Sequence, residues 1–191
     1  MKTNTQKVVG MGLFTAIIVA LQMLASAIKF GPFSITLVLA PIVIGAALYG
    51  IGAGAWLGLT FGVTVLISGD AAAFLTINPI GTVLTVIAKG MVAGIVAAVI
   101  YKAIEKKNKT VAVVAAGIAC PIVNTGIFLI GCYLFFRDWL IDVFGTTGFA
   151  TVITGLVSLN FAVELGINML LASVIVRVID LGKKQLAKKN V

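Results

Sequence analysis

The sequence predicts an all-α integral membrane protein, a single domain built as a bundle of six transmembrane helices. Of its 191 residues, 61% are hydrophobic and only 10% are charged, whereas soluble domains are normally about one-quarter charged. The apolar residues form stretches of roughly 17 to 25, the length of a spanning helix, separated by Gly, Pro or charge. The period-2 alternation of a membrane β-barrel is absent, so helices are the expected way to pair backbone groups in lipid.

The apolar runs define six predicted spans. They cover residues 7–28, 35–50, 53–68, 79–101, 111–135 and 151–179. A glycine-rich bend separates the short second and third runs, so a single re-entrant or strongly kinked segment is the alternative there. The basic start of the chain resembles a signal peptide, but its apolar part is too long for one, and we expect a retained first helix.

The basic residues predict the orientation of the bundle. With six spans and both termini in the cytoplasm, every Lys and Arg outside the membrane lies on the cytoplasmic side except Lys29 and Arg137. The net charge of +8 is therefore expected to set topology and to contact anionic lipid, and not to bind nucleic acid.

Small residues recur at intervals of four along several spans. The stripes are Gly50, Gly54, Gly58 and Gly62, then Gly90 and Gly94, and the pair Ala16 and Ala20. We predict that the glycine stripes allow close packing of helices inside the bundle. Cys120 and Cys132, with no His to join them, are expected to be packing residues as well.

Two ionisable residues lie within predicted spans, beyond the reach of the membrane surface. They are Lys89 on the fourth span and Glu164 on the sixth. A charge at such a depth costs on the order of 2.5 to 3.5 kcal/mol, so each residue is a candidate for function.

Amide side chains accompany these charges. Asn160, Glu164 and Asn168 are spaced i, i+4, i+8 and share one helix face, and Asn124 lies at a depth similar to that of Lys89. Two interpretations follow: a structural ion pair, or a pocket that binds opposite ends of a polar ligand. The amides favour the pocket, because they offer both donors and acceptors, and an ammonium in low dielectric binds a carboxylate strongly.

The segments predicted on the external side mix aromatic, polar and glycine residues, as lids over a site do. Asn78 and Phe74 from the second of these segments, and Tyr133 at the end of the fifth span, are included in the predicted ligand site. Phe74, Tyr133 and Trp139 offer stacking surfaces for a ring. An interfacial aromatic belt is the alternative for Trp139, Phe136 and Phe144 of the external segments.

The sequence offers little for catalysis. It has no His, no acidic metal cluster, no nucleophile elbow and no phosphate-binding GxxxxGK[ST] loop. We expect no enzymatic activity, no metal and no cofactor. A Ser or Thr nucleophile activated by Lys89 is the formal alternative.

A set of short motifs accompanies the six predicted spans with both ends inside. These are Ala16-Ile-Ile-Val-Ala20, Gly31-Pro-Phe-Ser34, Leu39-Ala-Pro-Ile-Val-Ile-Gly-Ala46, Leu48-Tyr-Gly-Ile-Gly-Ala-Gly54 followed by Gly58, and Ile87-Ala-Lys-Gly90 followed by Gly94. In this topology and these motifs, the chain resembles over most of its length the substrate-binding S-component of an energy-coupling factor (ECF) vitamin transporter.

The resemblance implies a division of labour in a bacterial cell membrane. The S-component binds a vitamin at its external side, while two ATPases and a transmembrane coupling protein supply the energy. By the same resemblance, Ala16 and Ala20 are expected to contact the coupling protein. Pantothenate is the vitamin that best fits Lys89 and the amides, with a vitamin B6 form or riboflavin as alternatives.

A self-contained secondary transporter of a small polar solute is the alternative of another class. Such a protein needs an internal repeat or a continuous polar path across the membrane. The sequence has no convincing repeat, and its polar residues stop near mid-depth.

Overall fold

The structure is a computed structural model, and it describes residues 2–27, 29–30, 33–34, 38–142, 145 and 158–188. Most of these residues are helical, which confirms the predicted helical fold class. In chain order the elements are α1 (Lys2–Ser26), β1 (Lys29–Phe30), β2 (Phe33–Ser34), α2 (Leu39–Tyr49), α3 (Ile51–Ile67), α4 (Ala72–Leu75), α5 (Pro79–Ile104), α6 (Lys109–Phe135) and α7 (Ser158–Lys188). Residues 137–142 are helical too.

Three of the described helices are long and apolar enough to cross a membrane: Thr5–Ser26, Pro79–Ile104 and Lys109–Phe135. The apolar helices α2 and α3 are shorter. Large apolar side chains cover much of the outer surface, and Leu170 is 81% exposed. An outer surface of this kind is stable in lipid and not in water, so the chain is a membrane protein.

The polar residues that precede α5 and α6 explain where these helices begin. Asn78 accepts a hydrogen bond from the Gly81 amide at 2.9 Å, and Asn108 accepts one from the Val111 amide at 3.1 Å. Each side chain satisfies a backbone donor that the first helical turn leaves unpaired. The helix α7 continues to Lys188, past the predicted end at 179, and residues 151–157 lie outside the described part of the chain.

The glycine-rich bend is a turn between two separate helices. Gly50, with φ of 91°, ends α2 and precedes α3, and this left-handed conformation is strained for other residues. A Cβ on Gly54 would lie 3.3 Å from the Cβ of Ala46, so α3 folds back along α2. The described residues therefore do not form one kinked segment here.

The helices α3 and α5 cross backbone to backbone through their glycines. Gly54 lies opposite Gly94, and Gly58 lies opposite Gly90. At each of these positions a Cβ would collide with the carbonyl group of the facing glycine. The prediction that the glycines serve internal packing is confirmed, whereas Gly50 belongs to the turn.

The two ends of the bundle are named here after α4 and after Lys109. At the α4 end, Gly81 near the start of α5 packs against Phe135 at the end of α6, so these helices are antiparallel. At the opposite end, which we call the Lys109 end, Lys109 pairs with Asp180 at 3.1 Å.

Both α1 and α7 are anchored at the Lys109 end. Gly10 of α1 packs against Tyr49, and Gly182 of α7 packs against Leu48. The helix α1 therefore starts, and α7 ends, at the same end of the bundle.

Candidate ligand-binding site

Lys89 occupies the middle of α5, next to the tightly packed Gly90. Its side chain is half-buried and its Nζ lies 5.4 Å from the centre of the Phe61 ring and 5.3 Å from that of Phe128. The rings belong to α3 and α6, so Lys89 lies between two helices. Cation–π contacts of this kind contribute about 0.5 to 2 kcal/mol each, which offsets part of the cost of burying the ammonium.

Two carboxylates contribute to the electrostatic environment of this ammonium. Glu164 of α7 is 2% exposed, and Asp70 lies in the turn between α3 and α4. Both interact electrostatically with Lys89. Lys89 and Glu164, identified from the sequence, are thus brought together, and Asp70 is an addition that the sequence analysis did not select.

Asn124 lies on the inner face of α6 and is 4% exposed. It is one turn from Cys120, which interacts electrostatically with Glu164, and one turn from Phe128, which contacts Lys89. Residues at this spacing share a helix face. Among the described residues, no donor reaches its buried Oδ1 atom.

Gln22 and Thr85 are two further polar residues that sequence analysis missed. Gln22 of α1 is 1% exposed, and its Nε2 donates to Asp70 Oδ2 at 3.2 Å. Thr85 is 5% exposed, one turn before Lys89 on α5. In the described part of the chain, neither Gln22 Oε1 nor Thr85 Oγ1 has a hydrogen-bond partner.

The aromatic residues cover the α4 end of this polar group. Phe74 packs edge to face on Phe128 at 5.8 Å, on Phe136 at 5.0 Å and on Trp139 at 6.0 Å between ring centres. We call these four residues the aromatic cluster. Because Phe128 also contacts Lys89, the aromatic cluster forms one wall of the polar site.

The other predicted site residues have different surroundings. Asn78 caps α5, as described above. Tyr133 is 61% exposed, with the Arg137 guanidinium 5.7 Å from its ring, and both residues line a surface cleft of about 370 Å³ beside Trp139. Asn160 and Asn168 belong to α7, but their side chains lie outside what the structure describes.

Ala16 and Ala20 lie on a different face of α1 from Gln22. Both alanines are exposed, whereas Ile18, Gln22 and Ala25 are buried. The outer surface of α1 therefore carries these two small residues among larger apolar side chains, and the helix contributes one amide to the interior.

The chemistry of the site is that of a receptor for a polar solute. An ammonium can bind a ligand carboxylate, and buried oxygens without donors can accept hydrogen bonds from its hydroxyl or N–H groups. Aromatic walls exclude water and strengthen both kinds of contact.

Comparison with known proteins gives one match. A family model described as "ECF transporter, substrate-specific component" matches residues 6–176. Searches of curated proteins and of solved structures gave no match. Members of this family are transporter subunits and not enzymes, and they work with a coupling module on a small-molecule substrate. Since the match covers most of the chain, this protein belongs to the family of ECF transporter substrate-specific components.

Proposed function

We propose that this subunit captures a vitamin, pantothenate as the preferred candidate, at the extracellular side of a bacterial plasma membrane. It then delivers the vitamin with a separate module of one transmembrane coupling protein and two ATPases. The observation that carries the proposal is the half-buried Lys89 ammonium together with buried acceptor oxygens, such as Asn124 Oδ1, that have no donor among the described residues.

The orientation follows from the charges at the two ends of the bundle. Exposed lysines cluster at the Lys109 end, at positions Lys102, Lys106, Lys107 and Lys109. The positive-inside rule assigns such a cluster to the cytoplasm. With six membrane crossings, both termini are then cytoplasmic, and the α4 end with the aromatic cluster and the outer cleft is extracellular.

Pantothenate matches the chemistry of the site group by group. It carries a carboxylate for Lys89, and two hydroxyls and one amide N–H for acceptors such as Asn124 Oδ1. A ligand that supplies these donors would satisfy buried oxygens, each of which costs about 1 to 3 kcal/mol when left without a partner. The Asn160 and Asn168 amides are proposed to complete this shell from α7.

An amine form of vitamin B6 is the second candidate. Two carboxylates, Glu164 and Asp70, face one ammonium, and the excess of negative charge favours a cationic ligand whose ring stacks on Phe74 or Tyr133. The two candidates differ in the sign of the ligand charge, so a binding screen separates them.

A binding screen on the detergent-purified chain, without ATPases, tests the proposal. We expect calorimetry to detect tight one-site binding of pantothenate among pantothenate, pyridoxine, pyridoxamine, riboflavin, thiamine, folate, niacin and biotin. Tight binding of pyridoxamine alone would favour the second candidate. Folded protein that binds none of these vitamins would refute vitamin capture.

The coupling surface is tested separately from the ligand site. The double variant Ala16→Leu, Ala20→Leu places bulky side chains at the two small, exposed positions of α1. We expect it to bind pantothenate normally but to abolish uptake in cells that contain the coupling module. Val9→Leu, also exposed on α1, is the matched control, and equal uptake by both variants would disprove this contact surface.

A further inference from the structure

Gln22 is an unusual residue for its position. It lies on the buried face of a helix whose outer residues are apolar, and it is only 1% exposed. A buried amide group that lacks a partner destabilises the folded state, so an apolar residue of similar volume would stabilise a purely structural helix better. Its presence calls for a second role.

The hydrogen bond to Asp70 fixes the orientation of the Gln22 amide. A carboxylate is an acceptor, so the NH₂ group of Gln22 has to face Asp70, as the 3.2 Å contact shows. The Oε1 atom then points elsewhere, and within the described residues it meets no donor. The unsatisfied acceptor is thus a consequence of how Asp70 holds the amide.

The Gln22–Asp70 pair borders the Lys89 site. Asp70 interacts electrostatically with Lys89, and the same carboxylate binds Gln22. Gln22 therefore extends the polar site to α1.

We infer that Gln22 is a specificity-determining residue of the ligand site. Its Oε1 accepts a hydrogen bond from a hydroxyl or amide N–H of the bound solute, and Asp70 positions it by holding the NH₂ group. The site consequently selects a carboxylate that carries such a donor over a carboxylate of the same shape without one. This inference rests on the proposed function, because it assumes that the Lys89 site binds the solute.

The test combines one substitution with a set of ligands that each lack one donor. Wild-type protein and Gln22→Leu are titrated with pantothenate and with three analogues. In two analogues one hydroxyl is replaced by hydrogen, and in the third the amide nitrogen is replaced by oxygen. Thr15→Val is the control, because Thr15 is also a polar residue of α1 but binds Trp56 at 3.1 Å outside the site.

We expect Gln22→Leu to weaken pantothenate binding about tenfold. One analogue lacks the group that donates a hydrogen bond to Gln22 Oε1. For that analogue, wild-type protein and Gln22→Leu should have similar affinities. Thr15→Val should bind all four ligands like the wild type, and thermal unfolding should show that every variant is folded.

Other results overturn the inference in distinguishable ways. An equal loss for all four ligands would make Gln22 a structural partner of Asp70 and nothing more, and normal binding by Gln22→Leu would remove it from the site. In both cases the proposed function stands. If wild-type protein binds no vitamin of the screen, the proposed function fails and the inference fails with it. If it binds another vitamin, the same comparison is made with analogues of that vitamin.

Discussion

Neighbouring residues of α5 belong to two very different regions. Gly90 and Gly94 face α3, where backbone lies against backbone with no room for a Cβ. Lys89 lies over two phenylalanine rings and interacts electrostatically with two carboxylates. In the first region the main-chain groups are paired within their helices, whereas in the second several buried oxygens have no donor within the described part of the chain.

We therefore expect the glycine interface to determine the stability of the fold and the polar site to determine ligand binding. The glycine interface fixes how α3 and α5 cross, and small changes in volume there are costly because helix backbones cannot move apart cheaply. The polar site carries a cost in the free protein that a ligand can recover by pairing its acceptors. Substitutions in the glycine interface are therefore expected to lower the stability of the fold, whereas substitutions in the polar site are expected to weaken ligand binding and leave the fold intact.

The largest effect is expected in the glycine interface. Gly58→Leu would force a side chain into the Gly90 carbonyl group, and overpacking of at least about 3 kcal/mol should lower the melting temperature by about 10 °C or prevent folding. Gly52→Leu is the matched control on the same helix, because a Cβ there meets nothing within 4 Å. Equal melting temperatures for the two variants would contradict the close crossing.

Removal of the central charge should leave the fold intact and abolish most of the binding. Lys89→Met keeps the length of the side chain and loses the ammonium, so calorimetry should show about a 100-fold loss of affinity for pantothenate. Lys102→Met, at an exposed position of the same helix, should bind normally. Normal binding by the Lys89 variant would show that the ligand carboxylate lies elsewhere.

Asn124→Leu is expected to have an intermediate effect. It replaces a buried amide by an apolar side chain of similar size, so affinity should fall about tenfold while the melting temperature of the free protein holds or rises. Ile122→Ala, which alters an exposed position of α6, is the control for affinity. A folded Asn124→Leu protein with wild-type affinity would exclude Asn124 from the site.

The smallest effects on melting temperature and affinity are expected from two threonines of α5. Thr82 Oγ1 donates to the Asn78 carbonyl at 2.8 Å, whereas the buried Thr85 Oγ1 has no partner among the described residues. Thr85→Val should therefore raise the melting temperature of the free protein by about 2 to 4 °C and weaken binding a few-fold. Thr82→Val should lower the melting temperature without affecting binding, and the same response in both variants would contradict the contrast.

The sequence was sufficient to predict the features that depend on residue patterns within a single helix. The length of the apolar runs located α5 and α6, and the i, i+4 spacing of Gly54 and Gly58 identified the tight interface. A buried charge in an apolar run is expensive wherever the helix lies, so Lys89 and Glu164 could also be selected without a structure.

The missed features depend on how distant segments meet. Gln22 is an uncharged residue near the end of α1, and only the rotation of that helix makes it buried. Asp70 comes from a turn whose direction no periodicity specifies. The strand pair β1–β2 and the helix α4 span two to four residues each, too few for a hydrophobic pattern to be visible. The side-chain contact between Gln22 and Asp70 identifies both residues, but it is a tertiary contact between distant segments and cannot be read from the sequence.

A structure of the pantothenate complex would test the central claim most directly. We expect the ligand carboxylate within hydrogen-bond distance of Lys89 Nζ, with its hydroxyl or amide groups facing Asn124 and Gln22. Density for the vitamin in the outer cleft beside Tyr133, or elsewhere, with the Lys89 site unchanged, would contradict the claim.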